Sequence, residues 1–133
     1  MLRVNIVTDT RYPVIRKTIR KAITDTLNSF KMLSGELEVS VAVVGKRKMG
    51  FLTSEYLKDG KDHEVLAFPL EEVAQETKSG FINSPDGILR LGDIVLCWPE
   101  VLLCASRDEI LVDSEMYMLT AHAMEHLLGK HHE

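Results

Sequence analysis

Val14-Ile-Arg-Lys-Thr-Ile-Arg-Lys-Ala-Ile-Thr-Asp-Thr-Leu-Asn-Ser-Phe30 is followed, past Ser34-Gly35, by Glu36-Leu-Glu-Val-Ser-Val-Ala-Val-Val44. In the first segment Ile15, Ile19, Ile23 and Leu27 recur every four residues, the spacing that lines one face of an α-helix, while Arg16, Lys17, Arg20 and Lys21 occupy the opposite face. In the second, Leu37, Val39, Val41 and Val43 alternate with Glu38 and Ser40, the period of a half-buried strand. The change of period from four to two within one short stretch predicts a helix packed against a sheet.

Working outward, Arg3 to Thr8 alternates weakly and reads as a first strand, with Tyr12-Pro13 as a helix-starting signal. Residues 47–57 read as a short helix, and Asp59-Gly60 turns the chain into a brief strand from Glu64 to Phe68 closed by Pro69. Glu71 to Leu91 contains Lys78-Ser79-Gly80 and Asn83-Ser84-Pro85-Asp86-Gly87, and is expected to be a mobile loop or an irregular hairpin. Ile94 to Cys97 reads as a further strand. Two helices follow, from Pro99 to about Arg107 and from Ser114 to Leu128, with Ser114 as the expected N-cap. The predicted fold is α+β, a single domain over residues 1–133 with a mixed sheet of about four strands covered by helices, because some connections are too short for parallel crossovers.

At 133 residues and 45% hydrophobic, the chain is long enough to bury one core. The start, Met1 to Asp9, lacks the long apolar run of a signal peptide, and no apolar segment approaches the roughly 20 residues a membrane helix needs, so a cytoplasmic protein is expected. Cys97 and Cys104 show no CxxC pairing and are expected to fill core space as thiols. The net charge of -4 does not announce a nucleic-acid binder, but the basic residues are uneven. Arg11, Arg16, Lys17, Arg20 and Lys21 form one group; Arg47, Lys48, Lys58 and Lys61 form another. Each is readable as a solvated face or as an RNA-backbone contact.

The chemistry is concentrated at the C-terminus, His122-Ala-Met-Glu-His126-Leu-Leu-Gly129-Lys-His131-His132. Positions four apart on a helix lie about 40° apart, so His122 and His126 can offer their rings to one ion. Gly129 is suited to end the helix with a left-handed turn, after which His132 can return toward the same ion. Three imidazoles with an open fourth position make a catalytic zinc arrangement whose bound water is acidified. The plainer readings are an ordinary surface histidine pair and a vector-derived His131-His132. His63 is expected in a surface loop. The metzincin protease pattern needs a Glu directly after the first His, and here that position is Ala123; Glu125 falls on the other flank of the ligand face. Peptidase chemistry is therefore disfavoured.

The histidine tail, together with Leu91-Gly92-Asp93-Ile94-Val95 and Glu64-Val65-Leu66-Ala67-Phe68-Pro69, resembles the YbeY family of metal-dependent endoribonucleases over about residues 36–133. The resemblance implies one zinc-type ion on His122, His126 and His132, cleavage of single-stranded RNA, and a role in maturing small-subunit ribosomal RNA and in ribosome quality control. It also locates departures. Ala67 stands where the family has Ser, and Leu57, after Tyr56, stands where the family has an arginine thought to act at the active site. Lys58 and Lys61 are nearby, but lysine lacks the bidentate fork, so Lys58 is named beside His122 and His126 as a catalytic candidate and reduced activity is expected. Two other classes remain open, a different zinc-dependent hydrolase and a ribosome-associated RNA-binding module whose zinc is structural.

Overall fold

The computed structural model describes residues 1–32, 35–58, 63–70 and 87–129. The elements are β1 (Leu2–Thr8), α1 (Arg16–Ser29), β2 (Glu36–Val44), α2 (Lys46–Tyr56), β3 (Val65–Pro69), β4 (Ile88–Cys97), α3 (Trp98–Asp108) and α4 (Val112–Leu127). They build one four-stranded mixed sheet in the order β1-β2-β4-β3, in which only β3 runs antiparallel to its neighbour.

The two segments that announce the fold behave as their periods require. Ile19, Ile23 and Leu27 of α1 are fully buried against Leu37, Val39, Val41 and Val43 of β2 in the main core. Ile15 is the exception: it is the N-cap of α1 and stays exposed, because the helix begins only at Arg16. Helix α4 joins α1 on this face of the sheet, pinned by a hydrogen bond from Thr18 Oγ1 to Asp113 Oδ1 (2.6 Å) and one from the Tyr117 hydroxyl to Asp25 Oδ2 (2.5 Å). On the opposite face α2 covers only a small second cluster of Met49, Leu66, Val95 and Cys97. Cys97 and Cys104 are both buried thiols, as expected.

The last strand begins at Ile88, six residues before the expected Ile94. The reason is a bulge. Glu38 pairs with Arg90 and Val39 with Gly92, which leaves Leu91 as the extra residue of β4. The inserted residue inverts the alternation, so Leu89 and Leu91 itself on one side and Ile94 and Leu96 on the other all face the main core. Read as uninterrupted alternation, the sequence conceals half of the strand. Residues 71–86 of the expected loop or hairpin lie outside the described residues. The expected N-cap Ser114 is also corrected: α4 starts at Val112 with Leu111 as its cap residue, and the ladder has already begun with Glu115 N–H donating to the Leu111 carbonyl. Val112 packs on the main core, and this burial outweighs the capping preference of a serine.

Gly92 fixes how β3 approaches. Its φ of +141° is a conformation L side chains rarely adopt, and a Cβ there would collide with the Phe68 carbonyl oxygen and lie 2.9 Å from Leu127 Cδ2. Strands β3 and β4 and the last turn of α4 therefore meet at a position only glycine fills.

Candidate metal centre on helix α4

His122 and His126 stand one turn apart on α4, with ring planes 82° apart and their Nε2 atoms separated by 3.1 Å. Two nitrogens bound at about 2.0–2.1 Å to one tetrahedral ion lie roughly 3.3 Å apart, so the two rings already converge as zinc ligands do. The same spacing suits an N–H···N hydrogen bond between one protonated and one bare nitrogen. Either way the pair is set by the four-residue offset and by α4 being held on both sides of the site. Ala123, Met124 and Leu127 are buried beneath it.

Gly129 has φ +85°, and its N–H donates to the His126 carbonyl at 3.1 Å, the left-handed helix ending expected from the sequence. His131, His132 and the terminus lie outside the described residues. Among the described residues no group of three His, Cys, Asp or Glu is assembled to hold a metal. The donors present among the described residues are thus two convergent imidazoles one turn before the end of α4.

The pair opens into a cavity of about 390 Å³ between α4 and the edge strand β3, lined by Glu64, Val65, Leu66, Ala67 and Pro69. The Glu64 carbonyl accepts a hydrogen bond from the Cys97 N–H at 2.9 Å, which holds the start of β3 in register beside the cavity. Glu64 is the one carboxylate among the described lining residues, and the sequence marked it only as the start of the brief strand, not as a site residue. Glu125 lines a different concavity on the other flank of His122, in keeping with its place on the helical wheel. His63 precedes β3, half-buried, and does not line the histidine cavity.

Neither Leu57 nor Lys58 lines that cavity. Leu57 is the C-cap of α2 and 45% exposed, and Lys58 follows it, exposed, with φ +54° and its N–H donating to the Thr53 carbonyl at 2.7 Å. Lys61 lies outside the described residues. Two buried groups had no sequence signal: Glu115, 4% exposed with Oε2 unpartnered among the described residues, and Thr120, whose Oγ1 is likewise unpartnered. Burial, reinforced by Asp108, raises the Glu115 pKa above the ordinary carboxylate value.

The family model described as Endoribonuclease YbeY matches residues 5–133. An Endoribonuclease YbeY of Lachnospira eligens is 30% identical over 127 residues, covering 84% of this chain and 75% of that protein. One from Streptomyces coelicolor is 36% identical over 99 residues, covering 72% of this chain and 58% of that protein, and one from Renibacterium salmoninarum is 31% identical over 101 residues, of whose length the chain spans 62%. A solution structure of a Thermotoga maritima protein superposes with a TM-score of 0.58 at 21% identity, covering 100% of this chain and 75% of that one, and shares the fold. A match over nearly the whole chain, joined to a histidine pair one helical turn apart and facing the edge strand, makes this chain a member of the YbeY family.

Proposed function

We propose that this chain is a metal-dependent endoribonuclease, a hydrolase that cleaves single-stranded RNA, and that it forms one such domain over residues 1–133. The observation that carries the reading is the 3.1 Å convergence of His122 Nε2 and His126 Nε2 at a cavity open beside β3. With His132 as the third ligand, the three imidazoles would hold a zinc-type ion without any thiolate or carboxylate. When bound, such an ion supplies Lewis-acid polarisation of a phosphoryl oxygen and an acidified water.

The chain's own residues do the rest. His122 and His126 must present unprotonated Nε2 atoms, and α4 holds both rings in place before substrate arrives. Val65, Ala67 and Pro69 give the cavity an apolar wall that limits water, and Glu64 is the one described lining residue that carries a carboxylate able to accept a proton. Ala67 offers no hydroxyl to a phosphate, and Leu57 offers no cation. Lys58, on the exposed end of α2, is the nearest cation in sequence to Leu57 and fits electrostatic support of the substrate better than direct transfer. Cleavage slower than an arginine would support follows.

The cellular setting in this reading is the cytoplasm, with small-subunit ribosomal RNA or the ribosome as partner; no helix among the described residues is long and apolar enough to cross a membrane. The test is metal analysis joined to cleavage of single-stranded RNA, with His126→Ala as control. One zinc-like ion per chain and cleavage lost in the variant support the reading. A fully metal-loaded wild type that leaves RNA intact replaces it with the RNA-binding module and structural zinc, which the leucine at the arginine position favours.

A further inference from the structure

The face of the sheet opposite the histidines is left largely open by α2. There Asn5, Ser40, Asp93 and Phe68 line a groove of about 490 Å³, bounded on the α2 side by Lys48 and Tyr56. Lys48 also lines an adjoining concavity of about 630 Å³ with Arg47 and Phe51, so the two run on from one another along α2. Tyr56 is 66% exposed and Phe51 58%, a large cost in apolar surface for two aromatic rings on one helix. Tyr56 stands edge-on to Phe68 at 5.5 Å, and Lys48 Nζ lies 6.0 Å from the Phe51 ring. Lys46 pairs with Glu100, whereas Arg47 and Lys48 have no acidic partner among the described residues.

We propose that this groove is a track for single-stranded RNA leading around the edge strand β3 to the histidine cavity, an inference that rests on the endoribonuclease reading. Exposed aromatic faces interleaved with unpaired cations are what an unpaired strand needs: rings for bases to stack on and charges for phosphates. The polar groups are sorted accordingly. Arg47 and Lys48 sit on the helix rim, where a backbone would run, and Asp93 lies on the sheet floor, where its carboxylate repels phosphate but accepts from exocyclic amines of bases. Continuity comes from β3 itself. Ala67 faces the histidine cavity and the next residue, Phe68, faces the groove, so a strand passing this edge meets both.

The test uses the full chain in EDTA, where cleavage cannot occur, and a fluorescein-labelled oligouridylate of roughly 12 nucleotides followed by anisotropy. Tyr56→Ala and Phe51→Ala should each weaken binding about tenfold, the loss of one stacked base. Lys48→Ala should flatten the plot of log affinity against log salt by about 0.7, one phosphate contact on a single strand. Arg107→Ala, which removes the same charge from the exposed end of α3, should leave that slope unchanged. Unaltered affinity in both aromatic variants, or an equal loss in Arg107→Ala, overturns the track. Cleavage by the metal-loaded wild type is read in parallel. Binding that responds at the groove without cleavage sinks the nuclease reading alone, whereas cleavage with indifferent groove variants sinks the track alone.

Discussion

Replacing Gly92 by alanine should cost about 3 kcal/mol of stability and loosen the metal centre, and the estimate follows from the geometry. A non-glycine residue held at φ +141° carries strain of about 1–3 kcal/mol. The added methyl also meets three neighbours: the Phe68 carbonyl oxygen, Leu127 Cδ2 at 2.9 Å and Pro69 Cα at 3.0 Å. Two are backbone atoms that cannot swing aside, and overpacking of this kind costs about 1–3 kcal/mol. The strands can relax part of this, so about 3 kcal/mol is a middle value, set against a domain stability of about 5–15 kcal/mol. In urea, with a slope of about 2 kcal/mol per molar, the midpoint should fall by roughly 1.5 M. The displacement should also reach the histidine pair, because Leu127 directly follows His126 and must move if β3 is pushed away. Zinc affinity, measured by competition with a chromophoric chelator, should weaken on the order of tenfold, as when groups that orient ligands are lost. A Gly92→Ala protein that unfolds within about 0.5 M of wild type in urea would refute the reasoning, since neither strain nor collision could then be present.

His122→Ala should lose the bound ion, and acidification of the wild type should release it, because protonated imidazoles cannot coordinate; metal analysis after dialysis at stepped pH reads both, and full stoichiometry in the variant contradicts the assignment. Leu57→Arg should raise single-strand cleavage, by about tenfold or more if the guanidinium reaches the developing phosphorane charge, and unchanged kcat would show that the cationic partner lies elsewhere. Glu115→Gln should stabilise the protein increasingly as pH rises. Burial raises the folded-state pKa of Glu115, so the wild type has its full contribution below the ordinary carboxylate value and loses it as pH climbs through the raised one. Denaturation at pH 4 and at pH 8 should therefore give a larger difference between the two proteins at pH 8, and a difference that shrinks with pH would contradict the sign.

Periodicity made α1 and β2 legible because each buries one face along its whole length, and a repeating local pattern records that burial. The offset of His122 and His126 was legible for the same reason: four residues on a helix is a distance as well as a spacing, and it brings the two Nε2 atoms within 3.1 Å. What depended on the partner strand was not. The bulge at Leu91 is defined by pairing with β2, so the first half of β4 looked like loop. The start of α4 was decided by Val112 reaching the core, against the local preference for Ser114 as a cap. Family resemblance pointed to Leu57 and Lys58 as the place to look for a cation, yet the histidine cavity is lined instead by β3 residues and by Glu64 just before them. The open groove under α2 and the burial of Glu115 have no local signature either, since both arise where elements distant in sequence meet. Local chemistry along one helix singled out the candidate ligands; their surroundings were decided only when β3, β4 and α4 packed around Gly92, a contact no single segment encodes.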